Sequence, residues 1–368
     1  MGFSQNLTSG TNISIIKTWL QQPNGYTYPI KIAIPTGTVP QEGFPVVVLL
    51  HGNGGNGAGM INQFINTLQC HILVAPTGYL NSWNICAENS DAPDIEMIND
   101  LVNNLQGYSN VNPKKIKILG SSNGAGLANR VFIENNNAGI DMICAIVSHL
   151  NDFQYHSENF YKPSGDTTSS SSFCGYNSVT SPLNTRKYLS ISNENDNLIP
   201  YLGGASVVGA NFLPAETAAY NIAKYKGYTG NLLTSGTTAG NPAITEFSYL
   251  SGDVVHIKGN AMHSVSTTQK EYIKKYFLDC NATLGADDVK NIKSIEVYPN
   301  PVSNNIKIQV NTNLVGTEYT LYNILGSTVL YGKVNSENIT VDISTIPKGI
   351  YLLSIGKSLN QIFKIVKE

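Results

Sequence analysis

The stretch Gly120-Ser121-Ser122-Asn123-Gly124 carries the most information about the fold of this chain. It follows the strand-like run Lys115–Leu119 and precedes a helical pattern that begins at Ala125. In a G-x-S-x-G turn between a strand and a helix, the glycines leave room for a sharp corner that exposes the central serine. The pattern therefore predicts a nucleophile elbow with Ser122 as the nucleophile. A plain Gly/Ser-rich loop is the alternative for these five residues alone.

A second informative stretch lies upstream, where the apolar run Phe44–Leu50 ends in the glycine-rich loop His51–Gly57. A continuous apolar run is typical of a strand that is buried on both faces. In a serine hydrolase, two backbone N–H groups stabilise the oxyanion, one after the nucleophile and one on a loop after an earlier strand. Asn123 and Asn53 occupy those two places. The loop also spells G-x-G-x-x-G, so a dinucleotide-binding loop is the alternative, which the later elbow disfavours.

A serine nucleophile needs a general base, and the base needs an acid to orient it. In hydrolases with a G-x-S-x-G elbow, these residues follow one another along the chain in the order Ser, Asp/Glu, His. His263 lies on a late loop ahead of the helical segment Thr267–Phe277, and we predict that it is the base. His149 follows an apolar strand-like run, and His256 lies inside another. We therefore expect His149 to be a packed or hydrogen-bonded histidine at a strand end, and His256 to be a sheet residue.

The acid that orients the base is expected beyond the carboxyl end of a strand, where active-site residues of open α/β sheets lie. Arg186–Ser192 reads as such a strand, and the loop after it carries Glu194 and Asp196. We predict Asp196 as the partner of the histidine, because the extended stretch Leu198–Tyr201 after it would hold the loop in place. Glu194 is the alternative, and in a purely structural interpretation both acids only solvate a turn.

Several motifs together resemble the α/β-hydrolase esterases of the polyhydroxybutyrate-depolymerase-like and feruloyl-esterase-like groups. The resemblance covers about residues 20–280 and rests on Leu49–Gly55, Ile72–Gly78, Ser82–Asn84, Asp94, Gly120–Gly124, Asp196–Gly204 and Met262–His263. It implies an α/β-hydrolase fold with a mostly parallel sheet, in which Asp94 begins the helix ahead of the nucleophile strand.

The same resemblance implies a Ser122, Asp196 and His263 triad, an oxyanion hole at Asn53 and Asn123, and no cofactor. The implied activity is hydrolysis of a carboxylic ester through an acyl-enzyme. Its substrate would be a feruloyl or acetyl ester of a polysaccharide, or an aliphatic polyester. Trp83 and Tyr79 lie on the loop after Val74–Thr77 and are candidate walls of the acyl pocket, with ordinary core packing as the alternative.

The last eighty or so residues have a different pattern, with short alternating runs and no His or Cys after a polar linker. Seven strand candidates predict a small β-sandwich: Ser294–Tyr298, Asn305–Val310, Glu318–Ile324, Thr328–Val334, Ile339–Ile343, Gly349–Ile355 and Gln361–Val366. By composition alone, the tail is equally a carbohydrate-binding module, a spacer or an export tag.

Four ordered motifs in the tail resemble the C-terminal sorting domains of the type IX secretion system of Bacteroidetes: Val297–Pro301, Tyr322–Gly326, Ile343–Tyr351 and Lys364–Lys367. The expected domains are thus an esterase over 1–282, a linker over 283–293 and a sorting domain over 294–368. The resemblance implies that the secretion machinery is a partner and that the protein is secreted or lies on the cell surface. The start Met1–Ser4 lacks the basic and apolar regions of a signal peptide. Because a sorting domain implies export, we expect that a signal peptide preceded this start.

Composition excludes several other classes of protein. A formal charge of −2 without a Lys/Arg cluster predicts no contact with nucleic acid, and no apolar run is long enough for a membrane span. The spacing of the cysteines is not that of a metal site, so no metal is predicted. Export would permit one or two disulfides among them. Cys144 lies in an apolar run and is expected to be a buried small hydrophobe. Two rivals to the esterase remain, a non-catalytic surface or adhesion protein and an α/β-hydrolase peptidase.

Overall fold

A computed structural model describes residues 5–165, 170–240, 244–277, 295–310, 315–355 and 361–368. The chain divides into two compact units, Met1–Ala282 and Thr283–Glu368. The predicted linker over 283–293 and Cys280 lie outside the described residues.

The strands of the first unit are β1 Ile16–Trp19, β2 Gln22–Thr27, β3 Ile30–Ala33, β4 Phe44–Leu50, β5 Ile72–Pro76, β6 Val111–Ser121, β7 Ile140–Ile146, β8 Tyr155–His156, β9 Asn159–Lys162, β10 Ser178–Thr180, β11 Lys187–Asn193, β12 Gly204–Ala205, β13 Asn211–Phe212, β14 Thr237–Ala239, β15 Ile244–Tyr249 and β16 Val254–Gly259. Its helices are α1 Gly57–Phe64, α2 Asp94–Leu105, α3 Asn123–Glu134, α4 Ala215–Tyr225 and α5 Thr267–Phe277.

The main sheet has the strand order β14-β15-β16-β11-β7-β6-β4-β5-β3 within the described residues. The pairs from β5 through β4, β6, β7 and β11 to β16 are parallel, while β3, β14 and β15 pair antiparallel at the edges. This arrangement is the predicted α/β-hydrolase fold. In such a sheet the carboxyl ends of the parallel strands meet at one edge, so the loops after β4, β6, β11 and β16 lie close together.

Both faces of the sheet are covered, as the apolar run of β4 predicts. Every residue of this strand is buried. Val46, Val48 and Leu50 pack into one core with α2, α3 and α4, whereas Val47 and Leu49 pack into a second core with α1 and α5. Successive side chains of a strand point to opposite faces, so a strand between two helical layers must be apolar at every position.

Two short features were not predicted from the sequence. The hairpin of β12 and β13 follows the Asp196 loop. The strands β8, β9 and β10, which come between β7 and β11 along the chain, form a separate antiparallel sheet. A disulfide joins Cys86 to Cys174, and Cys144 is a buried free thiol, as expected.

The second unit contains β17 Ile295–Tyr298, β18 Asn305–Val310, β19 Glu318–Asn323, β20 Thr328–Lys333, β21 Asn338–Asp342, β22 Gly349–Ile355 and β23 Gln361–Lys367. They form antiparallel sheets in the orders β17-β18-β21 and β20-β19-β22-β23. Alternate residues of β18 and β22 enter one shared apolar core, which confirms the predicted β-sandwich. No helix among the described residues of either unit is long and apolar enough to span a membrane.

Candidate active site

Ser122 lies at a sharp corner between β6, which ends at Ser121, and α3, which begins at Asn123. The helix begins two residues earlier than the sequence pattern predicted, because the turn itself forms its first residues. Ser122 has φ 54° and ψ −120°, a backbone conformation that residues other than glycine rarely adopt. This conformation projects the Ser122 hydroxyl outward.

The two glycines of the motif allow this corner by close backbone contact. A Cβ at Gly120 would lie 2.0 Å from the carbonyl oxygen of Gly124, and a Cβ at Gly124 would lie 2.3 Å from that of Leu50. Both distances are far below van der Waals contact. The G-x-S-x-G spacing is therefore a steric requirement of the corner.

The structure brings Ser122, His263 and Asp196 into one hydrogen-bonded row. His263 Nε2 lies 2.7 Å from Ser122 Oγ, and its Nδ1 lies 2.8 Å from Asp196 Oδ2. The other oxygen of Asp196 accepts hydrogen bonds from the backbone N–H groups of Leu198 and Ile199, at 2.9 and 3.0 Å. The extended stretch after the acid thus holds its carboxylate in place, as the sequence pattern indicated.

The surroundings of Asp196 keep its carboxylate charged. Burial alone would raise its pKa, but the hydrogen bonds from His263, Ile199 and Leu198 outweigh burial and lower the pKa below its ordinary value. Glu194, the alternative acid, points elsewhere: its side chain is 58% exposed and pairs with Lys258 at 3.2 Å. The geometry therefore favours Asp196 as the partner of His263.

The loop that carries His263 is held by Asn193, the last residue of β11. The buried Asn193 amide donates to the carbonyl oxygens of Met262 and Ser264, at 2.7 and 2.9 Å, on either side of the histidine. Its own oxygen accepts a hydrogen bond from Gln269 Nε2 at 2.8 Å. Sequence reasoning missed this residue, for which a polar side chain at a strand end was the only available signal.

Asn53 and Asn123 both border the cavity in front of Ser122. Within the described part of the chain, neither backbone N–H donates to a protein acceptor. The Asn53 loop also comes close to the nucleophile, because a Cβ at Gly52 would lie 3.3 Å from the Cβ of Ser122. Two unpaired N–H donors beside the serine are the arrangement that an oxyanion requires.

The side chain of Asn123 fixes the neighbouring loop. Its Oδ1 accepts from the N–H of Trp83 at 2.8 Å, and its Nδ2 donates to the Trp83 carbonyl at 3.0 Å and to Glu88 Oε1 at 2.9 Å. Asn123 thereby ties the 82–88 loop to the start of α3. Sequence reasoning considered only its backbone.

Trp83 and Tyr79 do not line the cavity, which corrects the prediction that they form its walls. Trp83 is fully buried, and its indole N–H donates to the His51 carbonyl at 2.8 Å, so it supports the loop that follows β4. Tyr79 packs edge-on against Trp19 and Tyr26 instead. Large aromatic side chains near a turn signal burial, and the direction in which they point depends on the tertiary fold.

The cavity has a volume of about 420 Å³ and borders Ser122. Its apolar lining residues include Ile85, Phe153, Ile199, Val207, Val208 and Phe212. Its polar lining residues include Asn53, Ser82, Glu88, Asn89 and Asn151. The hairpin of β12 and β13 and the disulfide-bonded loop at Cys86 therefore form its walls. A volume of this size accommodates a small organic group.

His149 and His256 are both buried: His149 lies just after β7, and His256 lies within β16. Burial lowers the pKa of His149 to about 4 and that of His256 to about 3, so both rings are neutral at pH 7. His256 Nε2 lies 2.9 Å from the Tyr201 hydroxyl. Among the described residues, no cluster of three or more His, Cys, Asp or Glu side chains could hold a metal ion.

Comparison with known proteins identifies the tail. Residues 296–368 match the family of secretion system C-terminal sorting domains. The second unit belongs to this family. No curated protein matches the chain. The sorting domain indicates secretion or attachment to the cell surface.

Solved structures of esterases are similar to the chain at low identity. A carboxylesterase from Bacillus cereus is 12% identical with a TM-score of 0.42, over 68% of this chain and 93% of that one. A phospholipase/carboxylesterase from Dyadobacter fermentans DSM 18053 is 15% identical with a TM-score of 0.42, over 69% and 98%. An acetyl xylan esterase from Aspergillus awamori is 13% identical with a TM-score of 0.40, over 67% and 93%. Activities are not transferable at such identities.

Proposed function

We propose that the first unit is a serine carboxylic-ester hydrolase. The observation that supports it most directly is the row from Ser122 Oγ through the His263 imidazole to Asp196, with contacts of 2.7 and 2.8 Å. Hydrogen-bond contact between nucleophile and base, with the base oriented by an acid, is the arrangement that activates a serine.

In the proposed reaction, His263 Nε2 takes the proton of Ser122 as Oγ attacks the ester carbonyl. The N–H groups of Asn53 and Asn123 donate to the oxyanion of the tetrahedral intermediate. The intermediate collapses to an acyl-enzyme as His263 protonates the departing alcohol. Water then attacks the acyl-enzyme by the same route and releases the acid and free Ser122.

For the substrate, we propose a feruloyl or acetyl ester of a polysaccharide or an aliphatic polyester. The cavity is lined by both apolar and polar side chains, which supports this choice. Its apolar side chains suit an acyl group, and its amide groups suit hydroxyls or carbonyls. The enzyme would reach such polymers after export by its sorting domain. Turnover of p-nitrophenyl acetate and methyl ferulate tests the activity. A purified, folded protein that cleaves neither ester would support the adhesion alternative, and cleavage of peptide amides alone would support a peptidase.

Removal of residues 287–368 should leave ester hydrolysis intact. The two units are separate compact bodies with separate cores, and the cut falls beyond the end of α5 at Phe277. We expect kcat/KM on a soluble ester within about twofold of the full chain and unchanged binding to insoluble xylan or polyester. Pull-down on both polymers with and without the tail measures this.

Loss of polymer binding on truncation, with soluble activity retained, would show that the tail binds substrate. Tyr331, which is 80% exposed on β20, would then be the first residue to replace.

Asn193→Asp should lower kcat by roughly 10- to 100-fold with little change in KM. The variant keeps the size of the side chain but removes both donors to the carbonyls around His263, so the base shifts relative to Ser122. Steady-state kinetics on a soluble ester separates kcat from KM. Asn197→Asp, the same change at an exposed position of the loop, is the matched control and should retain activity within a few-fold. A parallel loss in both variants would contradict the positioning role.

A further inference from the structure

Glu88 is a fixed negative charge in the wall of the cavity. Its Oε2 accepts hydrogen bonds from the backbone N–H groups of Ile85 and Cys86, at 3.0 and 2.7 Å. Its Oε1 accepts from Asn123 Nδ2 at 2.9 Å. These three donors hold the carboxylate in one orientation.

No counter-charge accompanies Glu88 in the cavity. Among the described residues that line it, Glu88 is the only side chain with a formal charge at neutral pH, and the other polar groups are amides and hydroxyls. Several other lining side chains are apolar, among them Phe153 and Phe212. A charge beside a wall of low polarizability acts more strongly on a bound ligand than a charge in bulk water.

We propose that Glu88 restricts the enzyme to esters whose cavity-bound part is uncharged, and excludes esters that carry a carboxylate there. This inference rests on the proposed esterase function and narrows its substrate class. Glu88 accepts a hydrogen bond from the side chain of Asn123, the residue after Ser122. A group attached to Ser122 must therefore lie within several ångströms of the Glu88 carboxylate. A substrate carboxylate about 7 Å from the Glu88 carboxylate, at an effective dielectric of about 20, would bind roughly 50-fold more weakly than its neutral counterpart.

The same reasoning separates two kinds of polymer. Esters on neutral polysaccharide chains or polyesters would enter the cavity, whereas an ester next to a uronic acid carboxylate would be repelled. Selectivity of this kind arises from an unfavourable contact with the wrong substrate rather than a new contact with the right one.

The test compares two soluble esters of matched shape, p-nitrophenyl methyl succinate and p-nitrophenyl hydrogen succinate. We expect the wild type to prefer the neutral ester by more than about tenfold in kcat/KM, after the uncatalysed hydrolysis of each ester has been subtracted from its rate. In Glu88→Gln, that preference should fall by about tenfold. Glu96→Gln, which removes an exposed carboxylate outside the cavity, should keep the wild-type preference.

A second variant keeps the test decisive if Glu88→Gln does not fold. Ala87→Lys adds a positive charge at an exposed position of the cavity wall without touching the hydrogen bonds of Glu88, and it should also reduce the preference for the neutral ester. Equal use of both esters by the wild type, or a preference unchanged in the variants, would overturn the proposal. Failure to cleave either ester would instead refute the esterase function and this inference with it.

Discussion

Ser122→Ala should lower ester turnover by on the order of 10⁴-fold or more while the protein remains folded. Alanine cannot form the acyl-enzyme, and the remaining oxyanion donors can only assist direct attack by water. The melting temperature should change by no more than a few degrees, because the variant loses a single partly buried hydrogen bond to His263. Initial rates on p-nitrophenyl acetate and a thermal melt of both proteins measure the two effects.

Covalent labelling distinguishes Ser122 from its neighbour. A fluorophosphonate should modify the wild type at Ser122, and peptide mass spectrometry should find Ser121 unmodified. The adjacent serine ends β6, and only Ser122 contacts the imidazole. A folded Ser122→Ala protein that retained most of its activity, or was still labelled, would refute the assignment of the nucleophile.

Local sequence patterns predicted the central strands and the site loops because each pattern has a direct physical cause. The run at Phe44–Leu50 is apolar at every position since both faces of β4 are covered. The glycines at 120 and 124 have no room for a side chain. Each of these requirements acts on a few consecutive residues, and it can be recognised without knowledge of the rest of the fold.

Contacts between distant loops could not be predicted in the same way. The disulfide joins residues 88 positions apart in the sequence, and the contact between Glu88 and Asn123 depends on how the loop after β5 folds back onto α3. The orientation of Trp83 also depends on contacts between residues that are distant in the sequence. An aromatic residue next to a turn fits a pocket wall or a buried support equally well, and tertiary packing decides between them.

The edge strands and the hairpin of β12 and β13 were missed for a related reason. These elements are short and partly exposed, so their residues carry little apolar periodicity. The hairpin nevertheless supplies part of the cavity lining, through Val207, Val208 and Phe212. The shape of the cavity is therefore harder to predict from sequence than the central strands.

Asp196→Asn should reduce kcat by about 10⁴-fold, whereas Glu194→Gln should have little effect. An asparagine presents an amide that lets His263 adopt the wrong tautomer, so Nε2 no longer accepts the proton of Ser122. Glu194 pairs with Lys258 at the surface and makes no contact with the imidazole, and its replacement serves as the matched control. Steady-state kinetics of both variants on the same soluble ester measures the difference.

The comparison of Asp196→Asn with Glu194→Gln also tests the hydrogen bonds that hold the Asp196 carboxylate. Asp253 lies at the amino end of β16, away from the site, and pairs with Lys187, while Asp152 accepts from the Asn211 amide. Equal and mild losses in Asp196→Asn and Glu194→Gln would require another acid such as Asp152 to orient His263, and the loop around it would have to rearrange. A large loss confined to Asp196→Asn would instead show that the carboxylate held by Leu198 and Ile199 is the one on which the base depends.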